Sequence, residues 1–220
     1  MSVKTFLSGL TVCAVCFCLF SSVAAADESK LIITYCDGSQ QEVQLSQSKV
    51  QIRSLTFSCQ SDETVFGGVT YTEGALKGNV YHLPLNTRAL PDFSTLRPVG
   101  SIYARELNIP TQDFMQGFPG VTDRFEWFGV QYTGQFEVEQ DGIYVFRLNS
   151  DDGSRLYINN LLLINNDGVH PAQSKSGSIP LKRGPNQIRV DYFQGPRAKI
   201  ALQLYITPPG GSEQILRFGR

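Results

Sequence analysis

Apolar and polar positions alternate with a period of two through much of residues 99–206. Tyr132, Gly134, Phe136 and Val138 interleave with Thr133, Gln135, Glu137 and Glu139. Tyr144, Phe146 and Leu148 interleave with Ile143, Val145 and Arg147. Ile188, Val190 and Tyr192 repeat the pattern, and Ile200, Leu202, Leu204 and Ile206 complete it. Successive side chains on a strand point to opposite faces, so each run predicts a strand with one buried face. Residues 101–107 predict an earlier strand, ended by Ile109-Pro110. Residues 155–158 and 161–164 form two more runs around Asn159-Asn160. Asparagine tolerates the positive φ of a two-residue turn, so this segment predicts a hairpin. The fold class is therefore all-β: an antiparallel β-sandwich over residues 91–210.

Glycine and proline divide the runs. Gly117, Pro119 and Gly120 predict a loop over residues 113–122. Gly177, Pro180 and Gly184-Pro185 predict further loops after Asp167-Gly168. Pro208-Pro209-Gly210-Gly211 predicts the end of the fold, with residues 211–220 as a tail or short final strand. Trp127, in an aromatic stretch, is expected to fill the core or cap the sandwich.

Residues 27–90 have a different pattern. Residues 31–35, 43–45 and 50–59 predict a small β-meander, and residues 60–90 predict linker and loops with short strands near Val69 and Val80. Ahead of them, Lys4 precedes an apolar stretch over residues 6–20 and small residues ending in Ala24-Ala25-Ala26. That order predicts an export signal over residues 1–26, cleaved after Ala26; the alternative is an uncleaved anchor helix. Export would place the chain in the periplasm, at the cell surface or outside the cell, with the signal as its membrane contact. Cys36 and Cys59 outlast the signal, and an even pair in an exported chain predicts a disulfide. It would close a 24-residue loop, worth about 3.4 kcal/mol in the chain-entropy model. The alternative is two reduced, buried thiols.

Composition narrows the function. Only 18% of residues are charged and 20 are glycine, which favours a β-rich globular protein over a coiled coil or a disordered chain. A net charge of −1 without a basic run argues against nucleic acid as a partner. There is no G-x-S-x-G, no H-E-x-x-H and no phosphate loop with its lysine. Glu137 and Glu139 fall at i and i+2 on an exposed face, which is ordinary alternation. The chain reads as non-catalytic.

The richest chemistry is in SDDGSRLYINN…NDGVH, residues 150–170. This string resembles the core signature of the PA-fourteen (PA14) domain, named after the anthrax toxin protective antigen and found in toxins, glycosidases, flocculins and adhesins. The lead-in FEWFGVQYTGQFEVEQDGIYVFRLN and the closing GPNQIRVDYFQGPRAKIALQLYI extend the resemblance over roughly residues 99–206. It implies a β-sandwich and, in the family's lectin branch, a calcium ion held by an Asp-Asp pair whose peptide bond is cis. Carried onto this chain, the metal ligands are Asp151, Asp152 and Gln194, with backbone carbonyls of residues 195–197. Gln194 stands where the flocculin-like lectins often carry Asn or Asp. Sugar hydroxyls would complete the shell, because calcium takes six to eight oxygens. Asp167 and Arg197 are the further ligand-binding candidates. The alternatives are a simple Asx turn at Asp151-Asp152 and a hairpin-organising role for Asp167, with His170 hydrogen-bonded locally. The expected partner is a glycan; the alternative is a cell-surface protein, with the sandwich as an assembly module of the envelope.

Overall fold

The computed structural model describes residues 29–34, 40–45, 63–196 and 199–219. The signal over residues 1–26, the strand expected within 50–59, Cys36 and Cys59 with their disulfide, and Arg197 lie outside the described residues. Two compact units divide the chain, residues 1–60 and 61–220. In the first, β1 (Ser29–Thr34) and β2 (Gln40–Leu45) pair antiparallel, from Ser29 opposite Leu45 to Thr34 opposite Gln40.

In the second unit the alternating runs become the sandwich. One antiparallel sheet has eight strands among the described residues, in the order β11-β10-β13-β8-β5-β6-β4-β3. These are β3 (Glu63–Thr64), β4 (Gly67–Gly68), β5 (Leu76–His82), β6 (Gly100–Ala104), β8 (Phe128–Val138), β10 (Ser154–Ile158), β11 (Leu161–Asn166) and β13 (Gly184–Gln194). The facing sheet runs β12-β9-β14-β15, with β7 also on β14. Its strands are β7 (Asn108–Asp113), β9 (Gly142–Asp151), β12 (Gln173–Leu181), β14 (Lys199–Thr207) and β15 (Gln214–Ile215).

The core lies between the sheets. Tyr132, Phe136, Ile188, Val190 and Leu156 on one inner face meet Phe146, Leu148, Leu202 and Leu204 on the other, all buried. At one end Phe66, Phe114, Phe118, Phe128 and Tyr192 pack ring to ring, with centroids 4.9–6.1 Å apart. Edge-to-face contacts of this kind add to simple area burial. On the outer face of the eight-stranded sheet, residues 83–96 form a strap over Tyr81 and Phe193, with Leu83, Leu90 and Phe93 beneath it. Gly129 makes room for the strap: a Cβ there would lie 2.7 Å from the Phe93 ring.

Two expectations change, and three others gain detail. Strand β5 takes in the short strand expected near Val80 but begins earlier, at Leu76, and pairs with both β6 and β8. Gly78 in β5 hid this, because it leaves a gap that the Tyr132 ring fills at 2.6 Å from where a Cβ would stand. Ile109-Pro110 does not end a strand but lies inside β7, where the pairing with β14 slips between Ile200 and Leu202. An irregular edge tolerates a residue that lacks an N–H. Gly177 and Pro180 lie within β12, an edge strand, and not in a loop. Past Gly211, of the expected tail or short final strand it is the strand that forms: β15 pairs with β14, and Leu216 and Phe218 are buried. Trp127 belongs to neither hydrophobic cluster.

Candidate functional site

Strand β9 ends at Asp151 and β10 begins at Ser154, so Asp151-Asp152-Gly153 is the corner where the chain crosses between sheets. The hairpin that follows turns at Asn159 and Asn160, with φ of 49° and 67°, as the residue types predict. The Asp151–Asp152 peptide is cis. Gly153 is enforced by packing: a Cβ would run into the Phe193 ring and stand 2.9 Å from the Gly168 nitrogen.

Both carboxylates are buried, with Asp151 8% and Asp152 4% exposed. Asp152 ties two loops together. Its Oδ1 accepts the His170 N–H at 3.0 Å and its Oδ2 accepts the Gly195 N–H at 2.8 Å. Asp151 accepts the backbone N–H of Ala172. Burial, then the charge of Asp152, pushes the Asp151 carboxyl up to about 6, against the Ala172 amide and His170. Burial also pushes Asp152 up, against the Gly195 and His170 amides. Among the described residues neither carboxylate forms an ion pair. Among the described residues, two buried acids without an ion-pair partner are an unusual arrangement, since a buried charge ordinarily has a counter-ion.

Gln194 lies beside them, 1% exposed. Its Nε2 donates to the carbonyls of Pro196 and Lys199 at 3.2 and 3.1 Å, bracing the loop between β13 and β14. The Tyr192 hydroxyl lies 2.7 Å from Gln194 Oε1 and 2.6 Å from the Asp151 carbonyl. One proton serves these acceptors in turn. Burial, then the charges of Asp152 and Asp151, pushes the Tyr192 phenol upward, so it stays a donor. Of the loop carbonyls, Gly195 accepts from Trp127 N–H and Pro196 from Gln194. Beneath the corner, Ser150 and Ser154 hydroxyls lie 2.6 Å apart, and Asn166 Nδ2 donates to Ser150 Oγ.

Asp167 is occupied elsewhere. Its Oδ2 pairs with Arg155 at 2.6 Å, and its Oδ1 accepts from the backbone of Leu90 in the strap and from Gly168. The His170 ring faces the carbonyls of Asn166 and Pro171, a local pattern. The distant His82 is bonded to Thr122 and pushed down by burial and then Arg124.

Trp127, read from the sequence as core or cap, and Tyr192 are neighbours of this corner that the sequence did not place beside it. Trp127 is half-buried with φ of 53°. Its carbonyl accepts from Leu83 at 2.8 Å while its N–H donates to Gly195. A Cβ on Gly195 would lie 3.5 Å from the indole and 3.1 Å from Asp152 Oδ2. The indole and the carboxylate therefore flank the same glycine, within about 7 Å of each other. Tyr192 reads as one more core residue in an alternating run, and no pattern announces its hydroxyl contacts.

The donors at this corner are all oxygen, as a hard cation requires. Each carboxylate oxygen of Asp152 accepts one N–H and keeps lone-pair capacity. Among the described residues no three His, Cys, Asp or Glu side chains converge. A calcium ion here would therefore take amide, carbonyl or ligand oxygens besides the two carboxylates.

Comparison with known proteins agrees with this fold. The family model described as the PA14 domain matches residues 94–219. The anti-sigma-I factor RsgI3 of Acetivibrio thermocellus is 31% identical over 104 residues, 47% of this chain and 16% of that protein. The chain thus spans under a fifth of that relative's length. Among solved structures, the PA14 sugar-binding domain from an RTX adhesin superposes with a TM-score of 0.56 at 19% identity. That match covers 65% of this chain and 94% of the other. The PA14 domain of the MpAFP antifreeze protein gives 0.54 at 18% identity, over 67% and 90% of the two chains. At such identities the likeness shows the fold.

Proposed function

The chain belongs to the PA14 domain family, and from that premise we propose that its sandwich is a non-catalytic sugar-binding module acting outside the cytoplasm. A calcium ion would sit on Asp151 and Asp152, with two hydroxyls of a sugar ring completing its shell. The observation that carries this reading is the pair of buried carboxylates without a cationic partner among the described residues. Gln194 shapes the loop that closes the site, and its Oε1 keeps a lone pair for the ion. Trp127, half-buried beside the same glycine as Asp152, would offer its indole to the C–H face of a sugar held on the ion. An RTX adhesin's sugar-binding PA14 domain shares the fold, and the export signal read over residues 1–26 fits such a role. Single sites of this kind bind weakly, so useful avidity would come from several modules together.

The ion's role follows from charge. It would offset the two carboxylates and polarise the bound hydroxyls, and Asp152 would hold the β11–β12 and β13–β14 loops at its sides. The second reading is an envelope assembly module, and one observation favours it: both Asp152 oxygens already accept backbone N–H groups. A glycan screen in calcium and in chelator separates the two. Capture only in calcium, lost in Asp152→Asn, is the expected result. Capture indifferent to the chelator, or no capture at all, removes the calcium-lectin reading.

A further inference from the structure

A polar cavity lies on the outer face of the eight-stranded sheet. It measures about 470 Å³ and is lined by Arg189, Tyr157, Thr133, Gln135, Gln187 and Asn160 among others. Strand register builds it. Thr133 on β8 is opposite Arg189 on β13, which is opposite Tyr157 on β10. Gln135 is opposite Gln187, next along the same two strands. Lys77 on β5 is opposite Thr133 and extends the Arg189 row with a second, exposed cation.

Arg189 is the unusual member. Its guanidinium carbon lies 3.7 Å from the centre of the Tyr157 ring. Its Nε is 3.4 Å from Asp191 Oδ1 and makes no hydrogen bond. Asp191 is the better served of the two, since its Oδ1 accepts from Gln131 Nε2 at 3.0 Å. The Asp191 side chain is 7% exposed, whereas 39% of the Arg189 side chain is open to solvent. A planar fork of five donors, stacked on an aromatic ring and poorly paired, is suited to a carboxylate. Around it, uncharged amides and a hydroxyl can both donate and accept, as sugar hydroxyls do.

We propose that this face is a calcium-independent binding site for an acidic saccharide, with Arg189 on a uronate carboxylate and Gln135, Gln187 and Asn160 on neighbouring hydroxyls. An acidic peptide fits less well. A peptide anchors by filling an apolar pocket or by adding a strand to a sheet edge. The cavity lining is mainly polar, and β8 and β13 are interior strands with both edges paired. The site does not depend on the Asp151–Asp152 corner, which lies off its lining.

The test titrates the full protein in chelator with trisaccharides of galacturonate, glucuronate and mannuronate, and with their methyl esters. At least one acid should bind, with its ester at least tenfold weaker. Arg189→Gln should weaken that acid at least tenfold, while Asp152→Asn leaves it unchanged. Gln187→Ala, at an exposed position of the same cavity, should weaken it about threefold with its thermal midpoint unmoved, which separates recognition from folding. Absence of binding to all three acids overturns the proposal, as does equal binding of acid and ester or an unaffected Arg189→Gln. Acetate competing as strongly as the saccharide overturns the saccharide assignment. Because chelator silences the calcium site, failure here and failure of the calcium reading are separate outcomes.

Discussion

Two acidic turns face each other across Gly153, and the fold treats their charges in opposite ways. Asp167 pairs with Arg155 at 2.6 Å and takes the Leu90 amide. Its charge is neutralised and used to fasten the strap. Asp151 and Asp152 are more deeply buried, yet among the described residues their carboxylates accept backbone amides and form no ion pair. In sequence both are Asp-Gly turns flanked by polar residues. Among the described residues, the difference lies in whether the carboxylate has an ion-pair partner, and that is a property of tertiary placement. It makes the first turn a fastening and the second a candidate receptor for a cation.

The largest effect that sharpens this contrast is calcium stabilisation. Calcium at one hundred times its Kd should add about 2.7 kcal/mol, roughly 5–11 °C for a domain of this size. Asp152→Asn should abolish the shift and Asp167→Asn should keep it. No shift up to millimolar calcium, or equal loss in both variants, would erase the distinction. Next, Gly153→Ala should cost about 1–3 kcal/mol by overpacking, because the new Cβ meets both the Phe193 ring and the second turn. A denaturant midpoint within error of the parent would show that the turns are not wedged together.

A smaller effect concerns protons. Asp151 is pushed up to about 6, above an unfolded value of about 3.9. The folded state then binds more protons in that window, so the metal-free domain should lose stability as pH rises from about 4 to about 6. Calcium competes with the same proton, so its affinity should fall about tenfold, or about 1.4 kcal/mol, between pH 7 and pH 5. Affinity flat across that range would assign the ion to other ligands. Smallest, Arg155→Gln should cost about 1 kcal/mol by leaving Asp167 partly buried without its cation. Its calcium response should remain intact, and a lost response would mean that the turns act as one unit.

The strands around the site were legible because each buries one face. β8, β9, β13 and β14 appear as clean alternation, and the β10–β11 turn as two residues that accept positive φ. The closeness of Gln194 to Asp151 and Asp152 came from family resemblance, since more than forty residues separate them. What stayed illegible had local signals overruled by tertiary contacts. β12 carries serines, Gly177 and Pro180 because it is an edge. Phe114 and Phe118 enter the core from a stretch that reads as loop. Trp127 looks like core filling, but its backbone at φ 53° bonds to Gly195 and leaves the indole beside the acidic corner.

The central position of β5 also dictates how the chain must assemble. Its residues leave the ribosome before either neighbour, and Lys77 pairs with Thr133 only after 55 intervening residues have followed. Such non-local pairing slows folding. A fragment cut at residue 94, where the family match begins, would lack the strand between β6 and β8 and expose both flanks as sticky ladders. It would also strip Tyr132 of Gly78 beneath its ring and of the Phe66 carbonyl that its hydroxyl reaches at 2.6 Å. The segment that carries the family signature is thus shorter than the compact unit, which starts at Ser61.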